Sequence, residues 1–398
     1  MIRLIDKFDE PVRAIKTLLG DSYEKEYSAL SSLCGLIQTY RPRKIIKVGG
    51  RNSSATAAVL CCMERLQLPC QLAVVDSYDA VPPYTKDVFD LERELKRRNI
   101  ETCRIFRKRA LASFMDEMGG DVDLLILDAT ETAPYDVLDF IAAFPYLASN
   151  AIVVHCGSRS SRSYKDILFQ NVTADKFSAH FSSCEDLQDY IRFIITDTLS
   201  VFQVNRNTSQ HIPDVFAALR FPWQCIPTLE HLLEYKEFID AHYDALCQKL
   251  YMQAVLAADP NKKMLKAMAD TLLKTFPQVL LYGKGKRGSY FLKLASLIGI
   301  PITGFVVSDG RSSERLYENL PVYSYSEIPF PFNNTFIFQI SAAEEIGRRL
   351  QKSKFHWMNL PDNFWDDFAR EDYLFTMRSY LENVFPMDSI WEKEGLNR

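Results

Sequence analysis

Lys44-Ile45-Ile46-Lys47-Val48-Gly49-Gly50-Arg51-Asn52-Ser53-Ser54-Ala55-Thr56 is the stretch whose reading decides the fold. A short apolar run ends in a Gly/Ser turn, a helical pattern follows, and the next apolar run closes on Val74-Val75-Asp76. Strand, tight turn, helix and a strand-terminal acid together make a nucleotide-binding βα unit. The turn aims helix N-terminal amides at a ligand, and the acid is placed to hold a ribose hydroxyl. The pattern recurs at Val279-Leu280-Leu281-Tyr282-Gly283-Lys284-Gly285-Lys286-Arg287-Gly288, followed by Phe305-Val306-Val307-Ser308-Asp309. Two such openings imply two α/β domains.

Working outward from the first strand, residues 22–40 carry apolar positions at helical spacing (Tyr23, Tyr27, Leu30, Leu33, Ile37) and stop before Arg41-Pro42. Strand-like runs at 44–48, 71–75, 103–106, 122–127 and 151–155 alternate with helical stretches near 54–66, 86–98, 108–118 and 134–147. That alternation predicts a mostly parallel, doubly wound sheet. The β-rich segments 177–182 and 191–204 add an antiparallel edge. From Pro213 the texture changes. Residues 227–275 hold no strand-like run and read as helices broken near Asp259-Pro260. The expected organisation is therefore a Rossmann-like domain over 1–212, a helical connector over 213–276, and a second Rossmann-like domain over 277–398. The second domain has strands at 279–282, 302–307 and 335–340. The aromatic tail 355–391 packs against it or against a partner, which leaves a homo-oligomer open.

Composition narrows the function classes. The 398 residues suit two cores rather than one. A net charge of −4 gives no electrostatic footprint for nucleic acid or a membrane surface. The start, Met1 to Asp9, has no long apolar h-region, and no stretch approaches the ~20 apolar residues of a membrane helix. Nine scattered cysteines, without CxxC or metal-ligand spacing, read as reduced core thiols in a cytoplasmic protein.

The first half, about residues 20–205, resembles the class I S-adenosylmethionine-dependent methyltransferases, in the small-molecule branch with a helix ahead of the sheet. The likeness rests on helix 22–40 leading into Pro42-Arg43-Lys44-Ile45-Ile46. It rests also on Asp123-Leu124-Leu125-Ile126-Leu127-Asp128 with Tyr135 behind it, and on Ala148-Ser149-Asn150-Ala151-Ile152-Val153-Val154-His155. The resemblance implies S-adenosylmethionine as cofactor. Gly49 and Ser53 stand where the family's turn approaches it, Asp76 where the ribose is held, and Asp128 or His155 where a general base meets a small polar acceptor.

Departures from that pattern point elsewhere. The family's first strand ends in Glu-x-Gly-x-x-x-Gly, and here those positions read Lys47, Gly49 and Ser53. A lysine ~5 Å from a cationic cofactor group costs about 3 kcal/mol at an effective dielectric of ~20, roughly two decades of affinity. Ala129-Thr130-Glu131 replaces Gly-Asp-His after Asp128, and Cys156 replaces the acid after His155. Asp128 and Glu131 alone make a poor cage for a hard cation, which disfavours metal-assisted transfer. Asp76 and Asp128 also suit helix capping, and His155, ending an apolar strand, also suits a core position. Lys47 also suits a solvated or ion-paired strand end, and Arg159, Arg162 and Lys165 a solvated helix face.

In the second half, Gly283-x-Gly285-x-x-Gly288 follows a strand and opens a helix, the context the motif requires. Asp309 falls near where a ribose-binding acid belongs. With Gly304 to Gly310 and Leu320-Pro321-Val322-Tyr323, residues 277–352 resemble the small Rossmann-like modules of bacterial surface-sugar biosynthesis proteins, which hold a nucleotide-sugar. Lys284, Lys286 and Arg287 give the turn a sign that favours phosphate. A tight βα turn with exposed lysines and no ligand fits the same residues. A Gly285→Val change is expected to block a phosphate while leaving the fold largely intact.

Three readings follow. The first is a methyltransferase acting on a small polar acceptor, a sugar of a surface polysaccharide among the candidates. The second is a non-catalytic nucleotide or nucleotide-sugar binding protein whose first domain has lost its cofactor, the reading that Lys47, Ser53, Ala129 and Cys156 favour. The third, an NAD-dependent oxidoreductase built on the second domain, lacks a partner motif. Nothing in the sequence supplies a metal site.

Overall fold

The computed structural model describes residues 6–16, 23–50, 53–76, 90–98, 100–107, 109–128, 134–156, 194–196, 199–204, 208–220, 223, 225–311, 314–340, 343–360, 362–365 and 368. The chain divides into two compact units, Met1–Pro227 with His231–Ala258, and Thr228–Glu230 with Asp259–Arg398.

The first unit is built on seven strands: β1 (Lys44–Gly49), β2 (Gln71–Asp76), β3 (Cys103–Arg107), β4 (Val122–Asp128), β5 (Leu147–Cys156), β6 (Ile194–Thr196) and β7 (Leu199–Gln203). Their order is β3-β2-β1-β4-β5-β7-β6. Strands β1 to β5 run parallel, and β7 is antiparallel to both β5 and β6. Buried on both faces, the central strands are near-continuous apolar runs, as parallel sheets require. Val48, Val74, Leu125 and Val154 are fully buried.

The order reverses direction between β1 and β4. Such a switch point opens a crevice at the carboxyl ends of the strands, where open α/β sheets bind ligands. Gly49 and Asp128 face each other there in register.

The helices of this unit are α1 (Asp9–Ala14), α2 (Tyr23–Tyr40), α3 (Ser54–Leu66), α4 (Leu91–Arg98), α5 (Met115–Met118) and α6 (Tyr135–Ala143). Helix α3 starts where Ser53 accepts the Thr56 amide, and it ends at Gln67 in the left-handed region. It is buried almost all round, and its small and apolar residues (Ala57, Ala58, Val59, Leu60, Cys62) share a core with Leu33, Cys34 and Ile37 of α2.

Two predicted helices are shorter than their sequence pattern. Within residues 109–118 a 3-10 turn (Leu111–Ser113) and the single turn of α5 replace a continuous helix, and Gly119, with φ 70°, ends the run at the expected boundary. The stretch 134–147 stops at Ala143, and Pro145 then sits in a 3-10 turn that leads into β5. The antiparallel edge expected over 191–204 is present as β6 and β7, whereas 177–182 and Arg159, Arg162 and Lys165 lie outside the described residues.

The region expected to be a helical connector holds α7 (Ile212–Ala218), α8 (Leu229–His242), α9 (Ala245–Ala258) and α10 (Pro260–Leu272). The unit boundary falls between α9 and α10. Asp259 caps α10 by accepting the Asn261 and Lys262 amides, and Pro260 fills the first helical position, where no donor is needed. Within the first unit, polar bonds hold α8 and Tyr243, the residue after it. Tyr235 donates to Asp139 (2.5 Å), Tyr243 donates to the Ile141 carbonyl (2.5 Å), and Glu234 accepts from Arg109 and the Ala110 amide (2.7 Å each).

The second unit holds six strands: β8 (Gln278–Tyr282), β9 (Gly304–Val307), β10 (Leu316–Tyr317), β11 (Leu320–Ser324), β12 (Thr335–Gln339) and β13 (His356–Asn359). Their order is β10-β11-β9-β8-β12-β13, parallel except for the β10–β11 hairpin. Helices α11 (Lys286–Ile298) and α12 (Glu344–Gln351) complete it. Among the described residues, no helix is long and apolar enough to cross a membrane.

Candidate functional site

At the switch point of the first sheet the decisive side chain is Lys47. It lies on β1 with no exposed surface, yet its ammonium finds an acceptor for each of its three protons. These are the Gly50 carbonyl at 2.7 Å, Ser53 Oγ at 3.0 Å and Asp128 Oδ2 at 2.8 Å. Ser53 is saturated in turn. It accepts from Lys47 and from the Thr56 amide, and it donates to Asp128 Oδ2 at 2.9 Å. Thr56 donates to the Gly50 carbonyl at 3.1 Å. A buried ammonium is tolerated only with this degree of satisfaction.

The predicted residues of the first half are partly brought together. Gly49, with φ 111°, ends β1 and lets the chain turn sharply into α3. Ser53 caps α3 and Asp128 ends β4, and both belong to the Lys47 network. Asp76 ends β2, the strand beside β1, and is half-buried. His155 stands on the next strand, β5. It is buried in β5, in register with Leu127, and its Nε2 lies 3.8 Å from Oδ2 of the equally buried Asp136 on α6.

An S-adenosylmethionine site of the kind the resemblance implies needs a carboxylate where Lys47 stands. The residues present do not fit that group. The Asp128 carboxylate screens the ammonium, so direct repulsion of a cation is weaker than for a bare lysine. Among the described residues, the carboxylate beside Lys47 offers less attraction, because it is already engaged by Lys47 and Ser53.

No family model matches the chain, and no curated relative matches it. Solved structures do. A protein described as a caffeoyl-CoA O-methyltransferase from Staphylococcus aureus is 14% identical over 49% of this chain and 92% of its own, at a TM-score of 0.32. An SAH-bound methyltransferase from Podospora anserina is 14% identical over 49% of this chain and 86% of its own, at 0.32. The O-methyltransferase of tomaymycin synthesis from Streptomyces achromogenes, in complex with SAM, is 12% identical over 51% of this chain and 92% of its own, at 0.32. At such scores the likeness carries no weight for ligand or activity. The α/β assignment stands on the two sheets themselves.

In the second unit, Gly283 (φ 121°) and Gly285 (φ 99°) make the turn from β8 into α11. Gly288 is buried on α11, where an added Cβ would lie 3.1 Å from the Gly283 carbonyl oxygen. The glycines therefore have a structural reason to be there. Gly285 has ψ −163° as well, a conformation essentially reserved for glycine. A valine at this position strains the backbone as well as crowding any ligand, so Gly285→Val reports on both effects at once.

Asp309 is drawn to the protein's own backbone. Its Oδ1 accepts from the Ser326 amide and hydroxyl, both at 2.9 Å, and Arg349 lies 3.5 Å from Oδ2. The Ser326 hydrogen bonds, first the amide, hold its carboxyl below the usual carboxylate range. Of the three basic residues at the turn, Lys284 pairs with Glu314 and lies over the Tyr317 ring, and Arg287 stacks on Trp365. Lys286 is exposed. Glu314, Tyr317 and Glu318 were invisible to motif reading, since they reach the turn from a hairpin about thirty residues downstream.

Proposed function

We propose that the protein is a non-catalytic binding protein in which the first unit keeps a methyltransferase-type sheet as a scaffold. In this reading the second unit takes a nucleotide or nucleotide-sugar at the Gly283–Gly288 turn. The observation that carries the reading is the Lys47–Asp128 ion pair. It engages the Asp128 carboxylate at the β1/β4 switch point with a buried ammonium, so among the described residues that acid is already paired rather than offered to a cationic cofactor or an acceptor hydroxyl. The βαβ context of the turn and the positive φ of Gly283 and Gly285 support the second half.

The test is calorimetry of the full chain with S-adenosylmethionine, S-adenosylhomocysteine and UDP. No heat with the first two and saturable heat with UDP is the expected result. Binding of S-adenosylmethionine at low micromolar affinity overturns it. A second reading, methyl transfer to a small polar acceptor such as a sugar, draws on Asp76, which stands at the end of β2 beside the same crevice.

A further inference from the structure

The hairpin made by β10 and β11 turns through Glu318 and Asn319, both in the left-handed region (φ 49° and 63°). A two-residue turn of this hand needs positive φ at both central positions, which suits asparagine and glycine. Glutamate is a poor choice there, so something outside the hairpin must hold it. Its side chain supplies the reason. Glu318 Oε1 accepts from Ser289 Oγ at 2.7 Å, on the first turn of α11. Since that hydroxyl has one proton, the neighbouring Tyr317 hydroxyl, 2.8 Å away, is the donor to Ser289. Just upstream, Glu314 pairs with Lys284 inside the glycine turn, and the Tyr317 ring lies beneath the same ammonium.

Two carboxylates and a phenol from one segment thus engage both sides of the turn, Lys284 before Gly285 and Ser289 after it. We propose that the β10–β11 hairpin is a strap that closes the Gly283–Gly288 turn from within the chain and competes there with an external anion. The competition half rests on the nucleotide-binding reading of this unit, while the closure does not. The occupants bring negative charge to the spot where a phosphate would meet a helix start, so a bound phosphate and a seated strap exclude each other by like charge.

The experiment compares the full-length wild type with Glu314→Gln/Glu318→Gln and, separately, Ser289→Ala. Both sets of changes lie on the surface of the turn and keep its glycines. Hydrogen exchange at the amides of residues 283–289 is read against residues 293–298 of the same helix. Loss of the strap's charged hydrogen bonds should raise exchange about tenfold at the turn and leave the far end of α11 unchanged. Inorganic pyrophosphate is the anion probe, and its affinity should rise about tenfold in the Gln/Gln variant. Exchange that is the same in all three proteins overturns the closure. Faster exchange without pyrophosphate or UDP binding in any of them upholds the closure and overturns the competition, together with the nucleotide reading on which it rests.

Discussion

Lys47 Nζ lies 2.8 Å from Asp128 Oδ2, joining the carboxyl ends of two neighbouring strands at the point where the sheet reverses its order. The two partners are not equivalent. Lys47 has no exposed side-chain surface, whereas Asp128 keeps 22% of its own. Water can therefore compensate an orphaned carboxylate better than an orphaned ammonium.

This asymmetry predicts the order of two substitutions. Asp128→Asn leaves a wholly buried ammonium with only the Gly50 carbonyl and Ser53 as strong acceptors, and should destabilise the first unit by about 3 kcal/mol. Lys47→Met leaves a half-buried carboxylate that still accepts from Ser53, and should cost about 1–2 kcal/mol. Combining the two removes both charges and should recover part of the loss. Urea unfolding followed by a probe in the first unit measures all three. Equal costs for the single changes would show that the pair is solvated in solution.

Restoring the cofactor pattern needs more than one change. Lys47→Glu alone would place a second carboxylate against Asp128, where like charges cannot both ionise cheaply. Lys47→Glu with Asp128→Asn and Ser53→Gly removes that conflict and reopens the turn. If the ion pair is what excludes S-adenosylmethionine, this triple variant should bind it at least tenfold more tightly than wild type in calorimetry. A triple variant that folds and still shows no gain would mean that another part of the crevice is decisive.

The sheet was legible because its strands are local signals. Runs such as Ile45-Ile46 and Leu124 to Leu127 are apolar on both faces, and Ser53 marks the start of α3 by capping chemistry alone. What escaped the sequence depends on distant pairing. Asp128 meets Lys47 only because β1 lies against β4 in one register, 81 residues away along the chain. Asp309 reads as a ribose acid in the sequence, and its contact with Ser326, 17 residues on, is not legible there. Strand β13 was hidden inside an aromatic tail, since only Trp357 and Met358 of its four residues are partly covered. The β10–β11 hairpin carries no glycine at its turn, so the usual punctuation is missing.

The Asp309 contacts give the second unit a defined response to acid. Its folded carboxyl is held below the unfolded value of 3.8 by the Ser326 amide and hydroxyl and by Arg349. Below pH 3.8 the unfolded chain therefore binds more protons at this site. The contribution is complete above that pH and is lost as pH falls through the lower, folded value. Asp309→Asn keeps an acceptor for the Ser326 amide but cannot titrate. Thermal melts from pH 5 downward should fall less steeply for the variant than for wild type. Parallel slopes would show that the side chain is solvated rather than bound.

Three cysteines of the first unit should be slow nucleophiles in the native chain. Burial pushes the Cys70 and Cys103 thiols up to about 12 and raises Cys61 as well. At pH 8 a thiol of that kind is thiolate at a level of roughly one part in ten thousand, and the thiolate is the reacting form. Alkylation by iodoacetamide, followed by peptide mass mapping, should label these three far more slowly than the same chain in denaturant. Rapid native labelling of Cys103 would mean that β3 frays from the edge of its sheet.

Three glycines of the second unit should rank differently from what helix and strand propensity would give. At Gly304, on β9, an added Cβ would lie 2.9 Å from the Pro321 carbonyl oxygen and 2.8 Å from the Tyr323 ring. Strand β11 must move to admit it, so Gly304→Ala should be the most damaging, at about 2–3 kcal/mol. At Gly285 the space is open, but φ 99° with ψ −163° is foreign to alanine, and the cost should be about 1–3 kcal/mol from backbone strain alone. Gly288 sits inside α11, where alanine would ordinarily gain about 1 kcal/mol. Its Cβ, however, would stand 3.1 Å from the Gly283 carbonyl oxygen and 3.2 Å from the Phe305 ring. A carbonyl fixed by the turn cannot yield cheaply, so the propensity gain should be cancelled and Gly288→Ala should come out near neutral or mildly destabilising. Chemical denaturation of the three variants, read by a probe in the second unit, decides the order. A Gly288→Ala protein stabilised by the full helical gain would show that the glycine turn is loose enough to retreat from α11, and that its closed geometry is not rigid.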